Sequence, residues 1–120
     1  MFTKITLLEN SVLYVEAEGK LDIYNAPYYL EAVKDRIKIY VNEVVLEFSK
    51  ISFVASIGLR AILDIYKTAQ AKGCKLILKN VNEDTMHSFK FTGFDKFLIF
   101  ENDTEEPEEE VEGTQDSIQD

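Results

Sequence analysis

The chain has 120 residues, of which 46% are hydrophobic, and a formal net charge of -9. This length supports one compact domain, and the composition is that of a soluble globular protein rather than a disordered or fibrous one. Residues 101–120 contain ten acids and no Lys or Arg, whereas residues 1–100 contain twelve acids and thirteen bases. We therefore predict a single domain over residues 1–100 and an acidic, disordered tail over residues 101–120.

Several classes of protein are disfavoured by what the sequence lacks. No apolar run is long enough to span a bilayer, and residues 1–10 lack the pattern of a signal peptide, so we expect a cytoplasmic protein without membrane insertion. Cys74 and His87 are each the only residue of their type, which is too few for a disulfide or a zinc site. The nearly neutral body has no basic stripe that could neutralise phosphates, so we expect no direct binding of nucleic acid.

The first predicted elements are two paired strands and a helix. KITLLEN (4–10) and SVLYVEAEG (11–19) have strand patterns that meet at a short turn, and Gly19 is expected to end the hairpin. In the segment that follows, Asn25 is suited to the N-cap of a helix and Pro27 to its first turn. Steps of four and three residues give this helix an apolar face made of Ala26, Leu30, Val33, Ile37 and Tyr40.

Three tyrosines, Tyr24, Tyr28 and Tyr29, cluster at the start of this helix. Exposed aromatic side chains at that place could anchor a partner. Packing in or beside the core is the more frequent role of such residues, and we expect it here.

The rest of the chain alternates between predicted strands and helices. A broad apolar face over residues 57–72 predicts a regular helix that ends at Gly73, and Asn82 and Gly93 are suited to the two ends of a shorter helix. Further strands are predicted at EVVLEF (43–48), KLILKNV (75–81) and FLIF (97–100). The resulting order, β-β-α-β-α-β-α-β, predicts an α/β fold: a mixed β-sheet with an opening hairpin and right-handed crossover helices packed on it.

Ser56 interrupts an apolar run, FVASIG, where a strand is predicted to give way to a helix. A nucleophilic serine at such a turn needs G-x-S-x-G and a base, but the string here is VASIG and His87 has no evident orienting partner, so we expect no catalytic residues. Gly58 alone is too little glycine for a phosphate-binding loop, and we expect no cofactor. Ser56 instead fits an N-cap whose oxygen accepts from the N–H of Gly58 or Leu59, and an exposed cap can also carry a phosphoryl group.

Motifs along most of the chain follow one another in the order typical of a known family. Ser56, Gly58 and Leu59 match a turn that carries a serine, and the segment from Gly19 to Asp22 matches the residues before the first helix. Later matches are Gly73 at a helix end, Leu76 to Val81 in a strand, and the closing residues Thr92, Gly93 and Phe94. Over residues 4–100 the chain resembles the STAS domains, in particular the stand-alone anti-sigma factor antagonists. It departs from the family pattern at Ala55, where an acid is usual, and at Ile57, where a small residue is usual.

The resemblance implies a regulatory switch. In that family the unmodified antagonist binds an anti-sigma factor that is also a serine kinase, so the sigma factor is released. Phosphorylation separates the pair until a serine phosphatase resets the antagonist. Carried onto this chain, the phosphoacceptor is Ser56, and the partner-binding residues are Asp22, Ser56, Ile57, Gly58 and Leu59.

A second interpretation stays open. The chain could be a STAS scaffold subunit of a transporter or signalling complex, with Ser56 unmodified and acting as a helix cap only. Ala55 favours this interpretation, because the family's usual acid next to the serine is missing. The sequence does not indicate an oligomeric state.

Overall fold

A computed structural model describes residues 1–103, so the predicted acidic tail lies outside the described residues from residue 104 onward. The elements follow one another in the order ββαββαβαβ. The strands are β1 (Phe2–Leu8), β2 (Val12–Leu21), β3 (Glu43–Glu47), β4 (Ile51–Val54), β5 (Lys75–Lys79) and β6 (Ile99–Glu101), and the helices are α1 (Ala26–Arg36), α2 (Ser56–Ala71) and α3 (Glu83–Thr92).

The strands form one mixed sheet in the order β1-β2-β3-β5-β6, with β4 paired to the end of β2. β1 and β2 are antiparallel and are joined by a short turn over Glu9–Ser11. The pairs β2–β3, β2–β4, β3–β5 and β5–β6 are parallel, which their helical connections allow. The predicted mixed sheet with an opening hairpin is confirmed.

The sheet differs from the prediction at the end of β2 and at β4. The hairpin pairing of β1 with β2 ends at Glu18, directly before Gly19 as predicted, but β2 itself continues to Leu21. Its last residues pair with β4, and this pairing shifts register between Gly19 and Lys20. The φ of Gly19 is 127°, a conformation that favours glycine, which explains why the irregularity falls there. β4 is missing from the prediction because only its end residues, Ile51 and Val54, are buried, and this is not the alternation of a half-buried strand.

The core lies between the three helices and one face of the sheet. Alternate residues of the parallel strands enter it, such as Val15 in β2 and Leu46 in β3, as their period of two requires. Each helix adds apolar side chains to the same cluster, among them Val33, Ile62 and Phe89. The helices therefore cover one face of the sheet, and the alternating side chains of the strands form the opposite face.

The predicted apolar face of α1 is correct except at its end. Ala26, Val33 and Ile37 are buried and Leu30 is half-buried, but the helix ends at Arg36, and Tyr40 lies beyond it with 58% of its surface exposed. The segment IKIYV alternates β-branched residues, which lose side-chain freedom in a helix. The helix therefore stops one turn earlier than its apolar spacing suggests.

The predicted C-terminal end of α2 and both predicted ends of α3 are confirmed. The side chain of Asn82 caps α3 by accepting a hydrogen bond from the backbone N–H of Thr85 at 2.8 Å. Gly73 after α2 and Gly93 after α3 have φ values of 69° and 83°, the left-handed conformation that a helix C-terminus favours.

A network of polar side chains lies on the sheet face away from the helices. Glu47 at the end of β3 is only 8% exposed. It accepts hydrogen bonds from the Tyr14 hydroxyl at 2.9 Å, from the Ser49 backbone N–H at 3.0 Å and from the Asn80 amide at 3.0 Å. Burial alone would raise the pKa of the Glu47 carboxyl, but these hydrogen bonds outweigh it and hold the pKa below its ordinary value. Burial and the bond to Glu47 raise the pKa of Tyr14 to about 12.

The same network reaches the last described residue. The Asn80 amide also donates to a carboxylate oxygen of Asp103 at 3.1 Å, and the Asn80 carbonyl oxygen accepts from the Asp103 backbone N–H at 2.8 Å. Lys79 forms an ion pair with the Asp103 carboxylate at 2.9 Å. These contacts hold the chain after β6 against the end of β5.

The core contains a hydroxyl without a hydrogen bond, which gives a test of the packing. Tyr29 is 1% exposed, and its hydroxyl has no partner among residues 1–103. We expect Tyr29→Phe to raise the free energy of unfolding by about 1 kcal/mol, because it removes a buried polar group that is not compensated. Urea denaturation measures the change.

Tyr14→Phe is the matched control, since it removes a hydroxyl that donates to Glu47. It should lower the free energy of unfolding by about 1 to 2 kcal/mol. A Tyr29→Phe variant that is destabilised as much as Tyr14→Phe would contradict this description of the core.

Candidate functional site

Ser56 is the first residue of α2 and is exposed to solvent. The N-cap position belongs to Ala55, which has an extended backbone with φ of -79° and ψ of 173° and accepts the first helical hydrogen bond from Leu59 at 3.0 Å. The predicted capping role of Ser56 is therefore wrong by one residue, because the chain stays extended through Ala55 after β4. The side chain of Ser56 makes no capping hydrogen bond, so its hydroxyl is not held by the helix start.

Gly58 sets the position of this serine. A Cβ atom at Gly58 would lie 2.6 Å from the carbonyl oxygen of Leu21, 2.8 Å from Cγ1 of Val54 and 2.9 Å from the Cβ of Leu21. Glycine is thus required for the first turn of α2 to approach the end of β2. Gly58 is itself buried, which gives it a positioning role, and its direct part in partner binding stays a prediction.

Asp22 is brought beside Ser56 by the same contact. The backbone N–H of Ala55 donates to the carbonyl oxygen of Leu21 at 2.9 Å. Asp22 directly follows Leu21, and Ser56 directly follows Ala55. The hydrogen bond therefore brings the backbones of the two predicted site residues close together. The resemblance implied this proximity, and the backbone provides a physical cause for it.

The carboxylate of Asp22 is held by the loop before α1. Its Oδ1 accepts hydrogen bonds from the backbone N–H of Tyr24 at 3.1 Å and of Asn25 at 3.0 Å. Asn25 occupies the predicted N-cap position of α1 and Pro27 lies in the first turn, but the side chain of Asn25 makes no capping hydrogen bond. Its side-chain amide donates instead to the carbonyl of Lys20 at 2.9 Å. Asp22 therefore orders the entry to α1, the task that the sequence assigned to Asn25.

Exposed apolar side chains lie on the segments that carry Asp22 and Ser56 and on the adjoining helix α1. Tyr24 and Tyr28 are 78% and 76% exposed, so the expectation that all three tyrosines pack holds only for Tyr29. Ile57 lines a shallow depression between α1 and α2, together with Pro27, Leu30 and other residues of the two helices. This side of the domain presents more apolar surface than a solvated loop and helix start require.

Ser56 also borders two open grooves. Both are lined by Ser56, Leu59 and Thr92. The first groove is completed by His87, Ser88, Lys90 and Phe91, and the second by Arg60, Leu63, Asp64, Lys67 and Phe94. The predicted residues Ser56 and Leu59 thus share a surface with α3.

The prediction missed the contribution of α3 to this surface. Phe91 is 93% exposed, whereas Phe89 is fully buried. Residues two apart cannot lie on one face of a helix, so the string FKF did indicate that one of its two phenylalanines would face solvent. It did not indicate that the exposed one would lie in a groove with Ser56.

Two further properties concern residues 1–103. No group of three or more His, Cys, Asp or Glu side chains in this range is arranged to hold a metal ion. None of the helices described is long and apolar enough to cross a membrane.

Comparisons with known proteins identify the family of this fold. A family model described as STAS domain matches residues 5–107. A candidate anti-sigma factor antagonist from Thermotoga maritima has a TM-score of 0.77 and 21% identity, over 86% of this chain and 88% of that chain. The unphosphorylated form of SpoIIAA, an anti-sigma factor antagonist of Bacillus, has a TM-score of 0.68 and 18% identity, over 87% and 91%. A sulfate transporter family protein from Wolinella succinogenes has a TM-score of 0.68 and 19% identity, over 79% and 80%. At these identities the likeness is one of fold.

The two helix starts give a test of the cap assignment. We expect Asn82→Ala to lower the free energy of unfolding by about 1 kcal/mol, because it removes a side chain that caps α3. Ser56→Ala should change it by less than about 0.5 kcal/mol, since the serine caps nothing and is exposed. Urea denaturation of both variants measures the difference, and an equal loss at the two positions would refute the assignment of the cap to Ala55.

The close approach at Gly58 gives a second test. Gly58→Ala should lower the free energy of unfolding by roughly 1 to 3 kcal/mol, because the methyl group cannot fit between Leu21 and Val54. Gly93→Ala serves as the comparison, because a Cβ there meets nothing within 4 Å and only its φ of 83° is unfavourable. A Gly58→Ala protein as stable as the parent would show that α2 does not depend on this contact.

Proposed function

Because the chain belongs to the STAS domain family, we propose that it is an anti-sigma factor antagonist. In this role it binds an anti-sigma factor through the surface around Ser56 and thereby frees a sigma factor, and it performs no chemistry of its own. The observation that carries the proposal is the exposed Ser56, which caps no helix and is held beside Asp22 by the packing of Gly58. The protein would act in the cytoplasm, where sigma factors operate.

The surface suits a partner that is a protein. Ile57 and Leu59 follow Ser56 in the first turn of α2. Tyr24 and Phe91 add exposed aromatic rings from the loop before α1 and from α3. Aromatic and aliphatic side chains around a few polar groups are the usual composition of an interface centre. The grooves are open rather than enclosed, which favours a broad partner over a small substrate.

Regulation would act on the serine hydroxyl. The anti-sigma factor, acting as a serine kinase, would transfer the terminal phosphoryl group of a nucleoside triphosphate to Oγ of Ser56. The bond from Oγ to phosphorus forms as the bond from phosphorus to the nucleoside diphosphate breaks, and the hydroxyl proton passes to a base of the kinase. A serine phosphatase would reverse the modification by hydrolysis, giving inorganic phosphate and the free hydroxyl.

The charge of the phosphoryl group accounts for release of the partner. It adds about -1.5 to -2 charges at an exposed helix start next to the carboxylate of Asp22. An interface formed against a neutral hydroxyl then meets like-charge repulsion and a desolvation cost. A loss of about 3 kcal/mol corresponds to roughly a hundredfold weaker binding, which is sufficient for a switch.

A second candidate is a scaffold subunit that is never phosphorylated. Ala55 favours it, because the acid usual at this position in the family is absent and the residue serves as the N-cap of α2 instead. The likeness of fold to a sulfate transporter family protein is compatible with such a role. In this case the same surface would hold a constant partner.

The modification itself is the first test. Intact-mass and fragmentation spectrometry of the protein from its own cells should locate a phosphoryl group on Ser56 that phosphatase treatment removes. A purified partner that binds both this chain and a sigma factor should then lose roughly a hundredfold in affinity for Ser56→Asp, while Ser56→Ala binds as the parent does. Calorimetry measures these affinities.

Ser52→Asp is the matched control, because it places the same charge at an exposed serine of β4 that lies outside both grooves. Its affinity should stay within a few-fold of the parent. Ser56 that remains unmodified under growth and stress conditions, together with unchanged binding of Ser56→Asp, would favour the scaffold instead.

A further inference from the structure

Cationic side chains line both grooves that Ser56 borders. Arg60 and Lys67 belong to one groove, and Lys90 to the other. Lys90 comes from α3 and the arginine from α2, so the serine lies between basic groups of two helices. The proposed function uses the hydroxyl and its apolar surroundings but gives these cations no role.

Arg60 is placed to reach the hydroxyl of Ser56. The two residues are four apart in α2, a spacing that brings Cβ atoms within about 5 to 6 Å of each other on the helix surface. Side chains in a helix lean towards its N-terminus, so the guanidinium extends over the turn that contains Ser56. Lys90 lines the first groove with Ser56 and Arg60 lines the second, so the two cations belong to different grooves that meet at the serine.

Neither cation is engaged elsewhere in the described part of the chain. Arg60 and Lys90 are both exposed, and the ion pair found within residues 1–103 joins Lys79 to Asp103 on the other face of the sheet. A guanidinium can form paired hydrogen bonds with two oxygens of a phosphoryl group, and an ammonium can join as a point charge. The two groups would neutralise most of a phosphoserine's charge of about -1.5 to -2.

We propose that Arg60 and Lys90 bind the phosphoryl group of phosphorylated Ser56, so that modification links α2 to α3 within the domain. The inference rests on the proposed function, because it concerns the modified form of the same serine. It also adds a second cause for partner release. Before modification the grooves present two free cations to an acidic region of the partner, and afterwards these cations are occupied by the chain's own phosphate.

The titratable and charged groups of the two grooves and of the adjoining loop come from three elements. They are Asp22 from the loop before α1, Arg60, Asp64 and Lys67 from α2, and His87 and Lys90 from α3. Asp22 and Asp64 oppose the effect of the cations on a phosphate. The contribution of Arg60 and Lys90 is therefore measured by replacing these two cations while the acids are left in place.

The experiment titrates the phosphate directly. Phosphoserine is installed at position 56 by genetic encoding, which requires neither kinase nor partner, and its second pKa is measured by phosphorus NMR against pH. We expect Arg60→Gln with Lys90→Gln to raise that pKa by roughly 0.5 to 1 relative to the phosphorylated parent, because nearby positive charge favours the dianion. A free phosphoserine has a second pKa of about 6 and gives the reference.

Lys67→Gln is the matched control. It removes a cation from the same groove, but eleven residues along α2 correspond to about 16 Å, too far to contact the phosphate. The pKa should not change in this variant, and Arg60→Lys should retain part of the effect. Unfolding curves of all variants establish that each is folded during the titration.

The outcomes separate this inference from the proposed function. A phosphate pKa that is the same in the parent and in the doubly substituted protein would overturn the inference, even if phosphorylation abolishes partner binding. A clear rise in the doubly substituted protein supports the inference, even if no phosphoryl group is found on Ser56 in cells.

Discussion

The contact between Gly58 and the end of β2 is the constraint on which the candidate site depends. The carbonyl oxygen of Leu21 accepts the Ala55 N–H at 2.9 Å and lies where a Cβ of residue 58 would have to be. A larger residue would push α2 away from the sheet and separate Ser56 from Asp22. The absence of a Cβ at position 58 therefore allows α2 to pack closely on the end of β2 and keeps Ser56 near Asp22.

The hydroxyl of Ser56 has no structural role at the start of α2, and the backbone explains why. The extended residue at the start of α2 is Ala55, so the helix begins without help from the Ser56 hydroxyl. Asp22, in contrast, uses one carboxylate oxygen to order the loop before α1. A fixed carboxylate and a free hydroxyl thus follow the two residues joined by this backbone hydrogen bond, which suits a site where only the hydroxyl changes chemically.

The spacing of hydrophobic residues along the chain is sufficient to predict most of the fold. The hairpin, the buried strands β3 and β5, the C-terminal end of α2 and both ends of α3 follow from periodicity and from residues such as Asn82 and Gly93 that suit particular helix ends. β4 and the end of α1 are not predicted correctly, because the structure of short segments depends on tertiary pairing more than on local preference. The serine and its neighbour Asp22 came from resemblance, whereas Arg60 and Lys90 required knowledge of how α2 and α3 pack, which no local pattern contains.

The Glu47 network gives the domain a sensitivity to pH on the sheet face away from the helices. Because the folded protein holds the pKa of Glu47 below its ordinary value, the ionised carboxylate contributes stability that is fully present above the pKa of an unfolded glutamate, about 4.3. That contribution is lost as the pH falls through the lower pKa of the folded state. Acid therefore weakens the contacts between β2, β3 and β5 on the helix-free face. The two faces of the sheet thus respond to different chemical signals: protons at Glu47 and, in the proposed switch, a phosphoryl group at Ser56.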